Sequence, residues 1–193
     1  MTMETLLSLL IGVGLSAACG FRVFVPLLVL SVAVHTGHVN LTPGFDWIGS
    51  TPALIAFALA TALEIAAYYI PWVDNLLDSV SGPAAVVAGT MLTAALVTDV
   101  SPFIKWTLAV IAGGGVAGVV KGSTTLTRGA STLTTGGLGN PVLATIELGS
   151  SIATSFLAIL VPVVAILVVA VLVFLFSKVF FRRPAKDAVP DPA

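Results

Sequence analysis

Long apolar runs broken by glycine, proline and single charges organise this chain. The first run covers residues 5–34 and is interrupted by Gly12, Gly14, Gly20, Arg22 and Pro26. As one helix it would reach about 45 Å, more than a bilayer core of about 30 Å needs. A kink or break is therefore expected between Gly20 and Pro26, where glycine weakens the helix and proline removes a backbone bond. Residues 35–51 are more polar, with Pro43-Gly44 and Asp46, and predict an external loop. Residues 52–69 predict a second span with Glu64 inside it. Pro71 ends that run and opens a new helix whose early acids, Asp74 and Asp78, suit the positive end of a helix dipole. Residues 83–98 complete a third span, and Asp99-Val100-Ser101-Pro102 turns the chain. Residues 103–120 predict a fourth span, and its Gly113-Gly114-Gly115 and Gly118 allow close helix approach.

Residues 121–140 break the apolar pattern. They hold Ser123, Thr124, Thr125, Thr127, Ser131, Thr132, Thr134 and Thr135, with Lys121 and Arg128, and no acid or aromatic residue. This composition predicts a short re-entrant or cavity-lining element rather than plain disorder. The apolar stretch 141–181 is too long for one straight span. Gly149-Ser150-Ser151 and Val161-Pro162 divide it into a helix over 141–159 and a span over 162–181. From Arg182 the chain is polar, and 182–193 predict a disordered cytoplasmic tail. The pattern predicts an all-α integral membrane protein, a compact bundle of about 4–6 transmembrane helices with interrupted or re-entrant segments. Residues 1–181 form its single domain.

Composition narrows this further. The 193 residues are 58% hydrophobic and 9% charged, with a mean hydropathy of +1.12. A soluble domain carries about a quarter charged residues, which excludes one here. The runs do not alternate, so a transmembrane β-barrel is excluded as well. A net charge of −1 offers no attraction for nucleic acid. One cysteine, Cys19, makes no intrachain disulfide. Ser16-Ala17-Ala18-Cys19 is a faint likeness of a lipoprotein cleavage box, but serine stands where an aliphatic residue is needed. Residues 1–4 offer only Glu4 and the α-amino group, with no Lys or Arg, so residues 5–33 are expected to stay as a membrane segment. Lys178, Arg182, Arg183 and Lys186 place the C-terminus in the cytoplasm by the positive-inside rule. The loop at 35–51, without Lys or Arg, should then face the other side, with the N-terminus inside. Lys105 is the one exception.

A weak echo runs through the chain. Gly12-Val13-Gly14 precedes Arg22, and Gly113-Gly114-Gly115 precedes Lys121; Pro71 precedes Asp78, and Pro141 precedes Glu147. Glycine, cation, proline, acid and apolar span thus occur twice, in halves 5–98 and 103–181. Weak symmetry of this kind accompanies inverted repeats in transporters.

Three linked pieces carry a family resemblance. They are Gly14-Leu15-Ser16-Ala17-Ala18-Cys19-Gly20-Phe21-Arg22, then Glu64 with Ile70-Pro71-Trp72-Val73-Asp74, and Ser131-Thr132-Leu133-Thr134-Thr135-Gly136-Gly137-Leu138-Gly139-Asn140-Pro141. Together they resemble a bacterial membrane family catalogued as domain of unknown function 4126, over residues 5–180, with the last piece the most specific. The resemblance implies a small polytopic membrane protein, consistent with a bacterial inner membrane. It implies no activity or substrate.

The candidate chemistry lies in the rare charges, because an unpaired charge at the bilayer centre costs about 2.5–3.5 kcal/mol on insertion scales. Arg22, Glu64, Asp74, Asp78, Lys121, Arg128 and Glu147 sit inside or at the rims of apolar segments. They line a polar cavity or form structural ion pairs. Asp74 and Asp78 share a helix face and either bind a cation or cap the helix start. Glu64 carries a proton, pairs with a cation such as Arg22, or meets water. Arg22 and Lys121 hold an anionic substrate or lipid headgroup, or pair with Glu64, Asp78 or Glu147. Thr124, Thr134 and Asn140 offer polar contacts for an ion or solute, or hydrogen bonds between helices. Trp47, Trp72 and Trp106 suit interfacial anchors, and His35 with His38 make a weak metal pair.

The function expected is a small transporter or channel for a small polar solute or ion, coupled to protons or sodium. It needs no cofactor, and so few helices suggest a homo-oligomer in the lipid bilayer. A metal-dependent intramembrane lipid-modifying enzyme on Asp74 and Asp78 is a second reading, although it lacks an obvious second acidic cluster. A non-catalytic scaffold or assembly factor is the third.

Overall fold

The computed structural model describes residues 2–180, excepting the side chains of residues 71, 72, 74, 75, 169, 172, 173, 175–177, 179 and 180. The tail predicted over 182–193 lies outside the described residues. Among those described, every regular element is helical. In chain order they are α1 (Met3–Phe21), α2 (Phe24–His35), a 3-10 turn (Asp46–Gly49), α3 (Thr51–Ala67) and α4 (Pro71–Leu96). Then come α5 (Pro102–Leu108), a π-helical turn (Ala109–Gly114), α6 (Gly115–Thr135), α7 (Asn140–Leu160) and α8 (Pro162–Phe180). Met3–Phe21, Leu76–Leu96, Pro102–Thr135 and Asn140–Leu160 are long and apolar enough to cross a membrane, and α2 and α3 are shorter apolar helices. The protein is an all-helical integral membrane protein.

α1 is the central post. Gly14 to Gly20 are buried without interruption, and α4, α6, α7 and α8 all pack on it. Its small residues permit this, since helices in lipid associate by close van der Waals packing. A Cβ on Gly14 would come within 2.7 Å of the Ala158 Cβ. Ser16 Oγ lies 2.6 Å from Gly89 O and 2.9 Å from Thr93 Oγ1, which ties α1 to α4. The π turn seats Gly113 against α4, where a Cβ would meet Gly89 O at 2.6 Å.

The expected break falls at Arg22, whose backbone is extended (φ −142°, ψ 129°). Pro26 then lies in the first turn of α2, where its missing N–H leaves no bond unmade. The chain does more than kink here. Gly12 meets Thr93 and Ser16 meets Gly89, so α1 and α4 are antiparallel. α2 leads to a loop whose Thr42 N donates to Ala95 O (2.8 Å) and Oγ1 to Ala94 O (3.2 Å), at the end of α4. The loop thus shares an end of the bundle with the start of α1, and α2 runs opposite to α1. This corrects the expectation that put the N-terminus and loop 35–51 on opposite faces. A hydropathy run cannot distinguish a kinked crossing from one that doubles back.

A second reversal separates α7 from α8. The same Cβ on Gly14 would touch Ala165 at 3.5 Å as well as Ala158. Seven residues of straight helix would separate those two by about 10 Å. The chain therefore folds back at Val161, whose backbone (φ −143°, ψ 72°) is non-helical.

Residues 121–135 are not a separate element, as their composition had suggested. They continue the helix from Pro102. Their hydroxyls turn inward on the helix itself: Ser123 Oγ donates to Val119 O, Thr127 to Ser123 O, Thr132 to Arg128 O and Thr135 to Ser131 O, all at 2.8–3.0 Å. This back-bonding satisfies the polar groups without leaving the helix. α6 ends where Gly136 takes a left-handed conformation (φ 63°), a common helix stop.

Candidate functional site

Buried charges from five elements meet at one depth. Arg22 comes from the break after α1, Glu64 from the last turn of α3, Asp78 from α4, Lys121 and Arg128 from α6, and Glu147 from α7. Arg22 is 1% exposed and Arg128 2%, and Lys121, Glu64 and Glu147 are also buried. Asp78 and Glu147 each lie seven residues after the start of their helices, and Arg128 seven before the end of α6. That places the cluster about 10 Å inside one end of the bundle. Lys121 and Arg128 are two helical turns apart and so share a face.

The pairing is specific. Arg128 grips Glu147 in a fork, Nε to Oε1 at 2.9 Å and Nη2 to Oε2 at 2.6 Å. Lys121 Nζ donates to Asp78 Oδ1 at 3.0 Å, and Arg128 Nη1 lies 3.9 Å from Asp78 Oδ2. Arg22 Nη2 donates to Ala144 O at 2.8 Å and lies 3.8 Å from Glu147 Oε2. Nε and Nη1 of Arg22 have no hydrogen-bond partner, although the side chain is buried. Unmade bonds on a buried guanidinium are costly, so these two nitrogens are a feature to explain.

Glu64 takes backbone donors rather than a cation as its direct partners. Its Oε1 accepts from Val23 N (2.8 Å) and its Oε2 from Phe24 N (3.1 Å), so it closes the start of α2. Side-chain capping of this kind satisfies donors that a helix start leaves open. Tyr68 was absent from the sequence candidates. Its buried ring faces all three cations, 3.7 Å from Arg22 Cζ, 4.6 Å from Arg128 Cζ and 5.9 Å from Lys121 Nζ. Its spacing of four from Glu64, which shares that helix face, was the available signal.

The remaining candidates scatter. Thr124 is buried beside the cluster and donates to Lys121 O at 2.9 Å. Asn140 is buried and its Nδ2 donates to Thr132 Oγ1 at 3.3 Å, across the turn between α6 and α7. Thr134 is exposed and back-bonds to Ala130 O. The side chains of Asp74 and Trp72 lie outside the described residues. Both oxygens of Asp78 face cations, and among the described residues no group of three His, Cys, Asp or Glu is placed to hold a metal. His35 and His38 each engage a local partner, Gly49 O at 3.0 Å and Thr36 Oγ1 at 2.9 Å.

An apolar groove of about 460 Å³ runs between α2, α3 and α7, lined by Val25, Val29, Thr61, Ile65, Ile152 and Phe156 among others, and none of the cluster's charges lines it. Thr61 Oγ1, on its wall, is buried and has no partner.

The model of a family described as Domain of unknown function (DUF4126) matches residues 9–182. No curated protein and no solved structure matches the chain.

Proposed function

The chain belongs to the DUF4126 family, and from its own residues we propose a small membrane transporter for a polar solute or ion. The charge cluster is where substrate and coupling ion would meet. One observation carries this reading: six buried or half-buried ionisable side chains converge where α1 breaks and the chain reverses. Charges are costly in a membrane, and buried ion pairs can often be replaced by apolar residues with no loss of stability. Their concentration at one point therefore suggests a working site. Helices interrupted at the binding site are the usual construction of secondary transporters. In this reading α1 and α2 form a re-entrant hairpin, and halves 5–98 and 103–181 move against each other. Lys121, Arg128 and Lys178 set the cytoplasmic end, in keeping with a C-terminus inside a bacterial inner membrane.

A scaffold role is the second reading, favoured by the completeness of the Arg128–Glu147 fork. An enzyme built on Asp74 and Asp78 has less support, since Asp78 already faces Lys121 and Arg128.

The test is flux. Proteoliposomes loaded with pyranine would be challenged with sodium acetate, sodium phosphate and a panel of neutral polar solutes, with charge movement recorded in parallel. A solute-dependent signal that Arg22→Lys weakens in folded, reconstituted protein supports transport. Silence from folded, reconstituted protein across the panel favours the scaffold.

A further inference from the structure

The apolar groove is a slot between two helices that run in the same direction. α7 runs opposite to α1, with Arg22 donating to Ala144 O, Ser151 to Ala18 O and Gly14 facing Ala158. α2 runs opposite to α1 as well, toward the loop whose Thr42 bonds the end of α4. One wall is a stripe on α2 from Val25 to Thr36, and the other a stripe on α7 from Leu148 to Leu160, each about 16–18 Å of helix. α3 adds Thr61 and Ile65 at the inner end only, where the neighbouring Glu64 bonds the start of α2. The outer end lies at the loop-bearing end of the bundle, where the exposed Thr36 and His38 make a polar rim. Among the described residues no Lys, Arg, Asp or Glu lines the groove.

Size and polarity select the occupant. The groove is about half as long as the hydrocarbon core of a bilayer, about 30 Å, so it spans one leaflet. Its volume spread over that length gives a cross-section of about 29 Å², a rod about 6 Å wide. An α-helix with its side chains is about 10–12 Å wide, so a span of a second copy does not fit. A polar solute would lose its hydrogen bonds along a wall whose inner polar group is Thr61 alone. A free fatty acid would find no cation at the rim for its carboxylate. We propose that the groove binds one acyl chain of a membrane phospholipid from the leaflet at the loop-bearing end. The ester and headgroup lie at Thr36 and His38, and the terminal methyl points toward Ile65. Such a chain rises about 1.25 Å per carbon, so about 13 carbons fill the groove. It restores contacts that the lining would lack around a void. The inference goes beyond the transport reading and does not depend on it.

Photo-crosslinking of the full chain in phosphatidylcholine vesicles tests it. The probes are two phosphatidylcholines whose myristoyl chain carries a diazirine, beside the ester in one and at the terminal carbon in the other. Peptide mass spectrometry should place the terminal adduct at Thr61, Ile65 or Leu148 and the ester-side adduct at Val32, Thr36 or Leu160. Ile152→Trp and Val29→Trp, which fill the groove from opposite walls, should each cut both yields about tenfold, a loss of about 1.4 kcal/mol in binding. Val119→Trp, on the exposed face of α6 away from the groove, should leave the yields unchanged. Thr61→Val should leave them unchanged too, and a loss there would assign the inner end to a polar ligand and overturn the proposal. Adducts spread evenly over the lipid-facing helices, or the reverse order along the groove, also overturn it. So does displacement of the probes by an equal concentration of free myristate, which would assign the groove to a fatty acid. If one tryptophan variant does not fold, the other and the wild-type adduct map decide.

Discussion

The guanidinium carbon of Arg22 lies 3.7 Å from the centre of the Tyr68 ring. An arginine over an aromatic face is held by the ring quadrupole, by about 2 kcal/mol or more when both are shielded from water. The same ring stands within 6 Å of Lys121 and Arg128. Tyr68 thus screens three like charges from one another. Tyr68→Leu should lower the thermal midpoint in detergent, by about 2 kcal/mol in stability. Tyr68→Phe should lie close to wild type, because it keeps the ring. Equal losses in both variants would assign the role to the hydroxyl instead.

The Arg128–Glu147 fork is buried on both sides, with side chains 2% and 8% exposed. Removing one partner of such a pair leaves a buried charge and costs about 3–5 kcal/mol. Glu147→Gln and Arg128→Met should each destabilise the protein strongly. The double variant should lose less than the sum of the two. Strict additivity in unfolding measurements would show that the two do not act as a pair.

Glu64 holds the first turn of α2 through Val23 and Phe24. Glu64→Gln replaces one acceptor oxygen by a donor, so one backbone N–H is left facing an amide. The expected loss is about 1–3 kcal/mol. Hydrogen exchange should show it at Val23 and Phe24 and leave α7 unaffected. A variant that loses flux while keeping protection at those amides would instead point to a proton-carrying role.

The reversal at Arg22 can be tested by labelling. Thr2→Cys and His38→Cys should react with a membrane-impermeant maleimide from the same side of the vesicle, and Leu138→Cys from the opposite side. Cys19 is fully buried and should stay unlabelled. Labelling of Thr2→Cys and His38→Cys from opposite sides would restore a single crossing through α1 and α2.

The chain alone determined the class of the molecule. Residues apolar over whole spans cannot be solvated in water, and backbone in lipid must be helical or form a closed barrel. The breaks at Arg22 and at Val161-Pro162 were legible because glycine and proline mark where a helix can stop. The charges of the cluster were legible because a charge in an apolar run stands out. Tertiary structure decided what those signals meant. Whether the chain kinks or doubles back at Arg22 depends on what packs beside it, and here Glu64, 41 residues beyond Val23, holds the new helix start. The hydroxyl-rich stretch at 123–135 suggested a separate element, yet back-bonding to the preceding turn keeps it in one helix. Which carboxylate Arg128 grips, and that Tyr68 stands among the cations, follow from helices that meet only in the folded bundle. Local patterning reports how much a residue costs to bury, whereas its partner is set by side chains distant in sequence.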